Sequence, residues 1–153
     1  MNNQIKKTNM KKQSFLIIIC IFCLSFLNSC KKDKDVTANK TIIGKWKQIG
    51  GSYAPAYFGE TDYFSSYLPC EKDDISEFKS DNTFQLTEGN TRCDASDPQI
   101  MLTGSYTVNS DFTSITVNGE PSAIELTATT LKVIHPFSEG GVNYTDISTF
   151  QRQ

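Results

Sequence analysis

Six aromatic side chains crowd one short stretch: Tyr53, Tyr57, Phe58, Tyr63, Phe64 and Tyr67 fall within fifteen residues. Rings in such numbers suit the holding of a small apolar or sugar-like body, and a phenol adds a polar handle. Three further candidates lie downstream, Tyr106, His135 and Tyr144. Turned into an apolar interior, any of them would fix the polar end of a ligand; in a packed core they would make ordinary internal hydrogen bonds. A third group is acidic: Glu71, Asp73, Asp74, Asp94 and Asp97 gather around Cys70 and Cys93. Carboxylates collected there have the chemistry of a calcium site. No D-x-D-x-D-G loop accompanies them, so a solvated rim is the preferred reading. Signs of catalysis are missing. There is no G-x-S-x-G and no phosphate-binding glycine loop, and nothing fixes the carboxylate separation a glycosidase needs. His135 is the only histidine, which leaves neither a zinc ligand set nor a Cys-His pair. The chain is not expected to be an enzyme, and no cofactor or metal is expected.

The elements that must position these groups begin only after an address segment. Lys6, Lys7, Lys11 and Lys12 precede the apolar run from Phe15 to Leu27, and small Ser29 precedes Cys30. A charged region, a short apolar region and a small-residue cleavage site make a secretory signal. The run is shorter than the ~20 residues a spanning helix needs. Leu27-Asn28-Ser29-Cys30 resembles the lipobox of bacterial lipoproteins. The resemblance implies that residues 1–29 are removed, that Cys30 becomes a lipidated first residue, and that acyl chains tether the protein to a membrane it does not cross. Residues 30–40 (KKDKDVTANK after the cysteine) carry mixed charge and little to bury, so they are expected to be a solvated tether. The expected location is the cell envelope, on the outer membrane. Asp33 and Asp35 resemble part of a surface-export signal of Bacteroidetes-type lipoproteins, but Lys31 and Lys32 come first. The periplasmic and surface faces both stay open.

Removing the signal changes the composition. The whole chain carries 15 basic and 17 acidic residues; without the four signal lysines the mature chain has 11 basic and 17 acidic, a net charge of −6. Nucleic acid is thereby excluded as an expected partner. Of five cysteines, Cys20 and Cys23 leave with the signal and Cys30 takes lipid. Cys70 and Cys93 remain, and in an exported protein a lone pair is expected to form a disulfide. The remaining 124 residues are enough for one modest core.

From Thr41 onward, short segments of period two alternate with turn residues, and no window carries a sustained 3.6-residue apolar stripe. The pattern predicts an all-β domain over 41–153. Eight strands are expected: Ile43 to Gly50, Asp74 to Lys79, Thr83 to Glu88, Ile100 to Asn109, Ser114 to Asn118, Ala123 to Ala128, Leu131 to Pro136 and Asn143 to Gln151. Asp81-Asn82, Asn109-Ser110-Asp111, Asn118-Gly119 and Gly140-Gly141 supply turns that tolerate positive φ. Links this short favour an antiparallel meander. One further turn is expected near Ala95 to Pro98, and His135 ahead of Pro136 marks the end of a strand. A two-residue turn at Asp81-Asn82 would give opposed residues an index sum of 163. Cys70 and Cys93 meet that sum and would face each other at the open end of the hairpin; Phe78 opposite Phe84 would need 162, which a one-residue bulge reconciles.

Gly44-Lys45-Trp46 at the start of the first strand resembles the G-x-W that opens lipocalins (calycins). The remainder is similar to the lipocalin-like domains of Bacteroidetes-type lipoproteins. The matching residues are Cys70 with Asp73 and Asp74, Phe78 with Asp81-Asn82-Thr83-Phe84, Cys93, Gly104-Ser105-Tyr106, Ile124 with Leu126 and Leu131, and the closing Phe150-Gln151-Arg152. The resemblance implies an eight-stranded up-and-down barrel whose first strand closes on its last. It also implies Arg152 stacked over Trp46, a structural contact worth about 0.5 to 2 kcal/mol.

In lipocalins the link after the first strand covers the barrel mouth, and here that link is Gly51 to Asp73. A connection beyond ~12 to 15 residues is commonly functional or disordered, and this much aromatic surface argues against disorder. Two readings stand: a lid or rim that contacts a ligand, or a plug of satellite core. The expected function is a membrane-anchored barrel that binds a small apolar or amphipathic ligand through Tyr57, Phe58, Tyr63, Phe64, Tyr67, Tyr106, His135 and Tyr144. The alternative is a ligand-free module that docks an envelope or host protein by its loops. An open sandwich with an accidental G-x-W is a third.

Overall fold

The computed structural model describes residues 40–153. The signal segment 1–29, the lipidation position Cys30 and all of the 30–40 tether except Lys40 lie outside the described residues. Eight strands follow in order: β1 Gly44–Ala54, β2 Ile75–Phe78, β3 Thr83–Thr87, β4 Ile100–Val108, β5 Ser114–Val117, β6 Glu120–Leu126, β7 Thr130–Glu139 and β8 Val142–Arg152. Each pairs antiparallel with the next, and β8 returns to β1 to close the barrel.

The turns show why the order is up-and-down. Asn118 and Gly119 both have positive φ, 51° and 93°, and so do Gly140 and Gly141, at 58° and 79°. That is the requirement of a two-residue type I′ hairpin. Between β4 and β5 the Asn109 side chain accepts from the backbone N–H groups of Thr113 and Ser114, each at 2.9 Å. The β2–β3 connection departs from expectation. Phe78 stands opposite Phe84 and Ile75 opposite Thr87, a sum of 162, with Lys79 N–H bonded to the Thr83 carbonyl at 2.9 Å and Asn82 at φ 64°. Three residues turn the chain, not two. The expected sum of 163 therefore does not describe the ladder, and no bulge interrupts it. Cys70 and Cys93 are nonetheless joined, with Cα atoms 5.2 Å apart, beyond the ends of both strands.

Strand limits also move. β1 runs four residues past Gly50, and a bulge between Gln48 and Gly50 keeps it in step with β8. β7 does not stop at His135 and Pro136: it continues to Glu139, with Pro136 opposite Thr145. Pairing of β7 with β6 ends at Ile134 opposite Ala123, so Pro136 lies where β7 has become an edge on that side, the place a sheet tolerates proline. Near Ala95 the turn is formed over Asp94 to Asp97, where Asp97 N–H bonds to the Asp94 carbonyl.

The core fills one end of the barrel. Trp46 is 0% exposed and packs with Ile42, Phe78, Tyr106, Ile115, Ile124, Leu126 and Leu131, with Phe84, Val133 and Phe150 against them. These residues lie at the start of β1 and the end of β8 and around the β2–β3, β4–β5 and β6–β7 turns. That end is a solid floor. Arg152 seals it, its guanidinium 4.2 Å from the Trp46 ring centroid, with Nε donating to the Ala128 carbonyl and Nη1 to that of Ile43, both at 2.8 Å. Gly44 is required there: its φ is 135° and a Cβ would stand 2.6 Å from Arg152 Nη1.

Candidate functional site at the barrel mouth

The opposite end carries the Pro55 to Asp74 link, the disulfide and the β7–β8 hairpin tip. Successive inward positions are set by the strand alternation. From Phe150 the inward face of β8 continues through Ser148, Asp146 and Tyr144; their partners on β7 are Leu131, Val133, His135 and Phe137. The floor is apolar, and above it the wall turns polar on this side.

Tyr63 occupies that upper interior. It is 8% exposed, and its hydroxyl donates to Asp146 Oδ1 at 2.7 Å and lies 2.8 Å from Ser148 Oγ. Gly51, opposite Ser148, makes the space: a Cβ there would come within 2.3 Å of the Tyr63 ring. A single-turn 3₁₀ helix, Phe64–Ser66, follows and carries the chain out of the mouth. Burial, and then the hydrogen bond to Asp146, raise the Tyr63 phenol well above its ordinary range.

Around Tyr63 the other rings form a rim. Tyr53 lies 4.7 Å from Tyr63 and 5.2 Å from Tyr57, centroid to centroid. Tyr57 meets Phe137 edge-on at 5.2 Å and Tyr144 at 5.1 Å, and Phe137 stacks on Tyr144 at 5.2 Å. A hydrogen bond from the Tyr57 hydroxyl to Glu139 holds the link to the β7–β8 tip and pushes that phenol up to about 12. Phe58, in a left-handed conformation at φ 49°, caps Tyr57 and is 87% exposed.

The expected candidates thus separate. Tyr57, Phe58, Tyr63 and Tyr144 meet at the mouth, and His135 faces the same interior, its Nδ1 3.1 Å from Ser122 Oγ. Tyr67 touches the edge of the group, 5.8 Å from Tyr63, while Phe64 stands outside it under Lys72. Tyr106 does not belong. It is 5% exposed in the floor, edge-on to Phe78, with its hydroxyl donating to the Lys79 carbonyl at 2.7 Å. Lid and plug also divide along the link: Tyr63 is buried as a plug would be, whereas Tyr57 and Phe58 form an accessible rim. The acidic residues serve the loops. Asp73 Oδ2 accepts from the backbone of Asn90 and Thr91 at 2.8 and 3.0 Å, Asp94 caps Ser96, and no group of potential metal ligands occurs among the described residues.

Three residues of this region escaped the sequence reading as site members: Phe137, Asp146 and Glu88. Phe137 and Asp146 are marked by period two counted from Leu131 and Phe150, once β7 and β8 are allowed their full length. Glu88 is 6% exposed and follows Phe84 and Leu86 on the inward face of β3.

A family model for the lipocalin-like domain matches residues 42–133. The chain belongs to the lipocalin-like domain family. The matched segment includes Trp46, the aromatic link, both cysteines and the strands as far as β7. Lipocalin-like barrels are in general binding folds, closed at one end and open to a small ligand at the other. No curated protein matches the chain significantly.

Proposed function

We propose that this protein is a lipid-anchored lipocalin-like barrel that binds a small amphipathic ligand at its mouth. One observation carries the reading: an accessible aromatic rim of Tyr57, Phe58, Phe137 and Tyr144 stands directly above inward-facing polar groups, over a floor that is already full. A ligand's apolar body fits the rim and its polar end fits the wall beneath, the division usual in small-molecule sites. Tyr63 fixes the depth to which a ligand enters, because its hydroxyl occupies Asp146 and Ser148. The lipobox-like Leu27 to Cys30 supports attachment at Cys30 to the outer membrane, with the domain in the envelope.

Native mass spectrometry of the full chain purified from its own membranes tests this reading. A co-purifying small molecule that is lost in Tyr57→Ala with Tyr144→Ala, at unchanged melting temperature, is the expected result. The same spectra report the anchor, since the mature N-terminal peptide should begin at Cys30 and carry acyl mass. Absence of a bound molecule, together with strong retention of an envelope protein through Phe58, would favour the docking module instead.

A further inference from the structure

Two strands of the barrel wall stop short. β4 pairs with β5 only from Tyr106 to Val108, and β6 pairs with β7 only from Ala123 to Leu126. The β5–β6 hairpin turns back at Asn118 and Gly119. Ile100 to Gly104 of β4 and His135 to Glu139 of β7 therefore have no strand on that side among the described residues. Asn118 makes the last rung on β4: its N–H donates to the Ser105 carbonyl at 3.0 Å, and its side chain accepts from the Ser105 N–H at 3.1 Å. Thr103, two residues nearer the mouth, turns its N–H and C=O the same way, and no strand takes them. Leu102 shows the opening from inside. It shares an inward row with Trp46, Ser76 and Leu86, yet it is 47% exposed, and Ile100 and Met101 beside it are exposed too.

The two edges of the gap are not alike. Alternation along β7 gives the bonds to β6 to Thr130, Lys132 and Ile134, so the next N–H turned into the gap would belong to residue 136. That residue is proline, which has none, and Glu139 adds a charge further along. Proline and charge are common means of blunting a free edge. β4 has neither between Ile100 and Gly104, so its edge is left able to pair. From this asymmetry we infer that the β4 edge receives a strand from a partner protein, an extended basic segment laid alongside Thr103. Charge selects the occupant. The stretch between Cys93 and Gly140 forms both sides of the gap and holds Asp94, Asp97, Asp111, Glu120, Glu125 and Glu139. Its one basic residue, Lys132, is paired with Glu125 at 3.3 Å, and Arg92, just outside it, is held on Gln99. A second copy would bring these acids against their own kind. Five residues of strand also span only roughly 17 Å, too little for the ~1,200 Å² that a stable pair of proteins buries. An extended segment needs no such area, because its main chain completes the ladder while alternate apolar side chains settle over Leu102. The inference does not depend on a ligand at the mouth.

Two peptides test it on the isotope-labelled full chain by NMR titration: acetyl-KTVTVTK-amide and its acidic twin, acetyl-ETVTVTE-amide. The lysine peptide should shift the amide signals of Met101 and Thr103, slow their hydrogen exchange, and bind about tenfold tighter than the glutamate peptide. Thr103→Pro removes the free donor and leaves the β3 side of the ladder intact; it should weaken binding about tenfold at unchanged melting temperature. Thr103→Lys should do the same if the proline variant fails to fold. Amides of Met101 and Thr103 that respond to neither peptide, or equal affinity in the Thr103 variants, would overturn the inference. A glutamate peptide that binds as tightly would overturn the basic character of the partner. Slowing of the same amides with rising protein concentration alone would overturn the choice of occupant and assign the edge to a second copy.

Discussion

At the scale of single residues, two contacts show how differently charge is used at the two ends. Arg152 lies over the Trp46 ring and spreads its donors over three carbonyls, those of Thr41 and Ile43 before β1 and that of Ala128 in the β6–β7 turn. A lysine has the charge but neither the plane nor the fork. Arg152→Lys is therefore expected to cost about 2 to 3 kcal/mol in a urea titration, through two or more lost hydrogen bonds and the stack. Asp74 is the opposite case. Burial, then the Glu88 carboxylate, then Asp73 and Glu71, raise its pKa from 3.8 to about 6, against a lowering contribution from the Gly89 backbone. The folded state thus holds a proton more tightly than the unfolded one, so this group's contribution to stability is present below about pH 4 and is lost as pH rises through about 6. Asp74→Asn should stabilise the protein by about 1 kcal/mol at pH 7, after discounting for solvent screening, and by nothing at pH 4. Thermal melts at the two pH values check it. Trp46 and Arg152 were legible as a pair because they lie on the first and last strands, which a barrel must join. Glu88 and Asp146 were not, because a carboxylate has the same letter on either face and only the register assigns one.

The elements repeat this lesson in their lengths. Five of eight strands lie within a residue of their expected limits, since their turns announce themselves as Gly-Gly or an Asx cap, while β6 starts three residues before the expected Ala123, directly on the Asn118-Gly119 turn. β1 and β7 ran longer than expected, for reasons of context: glycines at 50 and 51 look like a stop until a bulge and Tyr63 make use of them, and Pro136 looks like a stop until its strand becomes an edge. The link had no periodicity to read at all. Its fold is set by one buried ring, so the ring should be the point at which it fails. Tyr63→Phe leaves the Asp146 carboxylate and Ser148 without their phenol and should cost about 1 to 2 kcal/mol. Gly51→Ala should expel the ring altogether, because the two cannot share the space. The measurement is limited proteolysis between Ala54 and Lys72: the glycine variant should be cut there rapidly while the β-sheet signal in circular dichroism persists. Equal resistance in both variants would mean that the link is held by Tyr57 and Glu139 instead.

For the molecule as a whole, the packed core and the aromatic mouth occupy opposite ends of one barrel, and the closure between β1 and β8 connects them. The meander was legible because five of the seven connections between successive strands are short and local. Closure was not a matter of pattern, since nothing in the period of β1 or β8 says that they meet; only the terminal Trp and Arg suggested it. That makes closure the step on which the fold depends. β8 is hydrogen-bonded on both sides, to β7 along its whole length and to β1 from Trp46 opposite Arg152 to Ala54 opposite Thr145. Its last residues carry Phe150 into the core and Arg152 over the floor. Removing Phe150 to Gln153 deletes a small part of the chain but opens an edge on β1, uncovers Trp46 and leaves a cavity where Phe150 packed. The loss of a core phenylalanine alone is worth about 3 to 5 kcal/mol, and the exposed edge adds a site for aggregation. Since small domains hold only about 5 to 15 kcal/mol in total, the truncated chain should not fold: its Trp46 emission should move to that of a solvated indole and its sharp thermal transition should vanish. A truncated protein that kept a buried tryptophan and a cooperative melt would show that the sheet closes without its final turn, and the floor would then have to be held by Leu131 and Leu126 rather than by the meeting of the two ends.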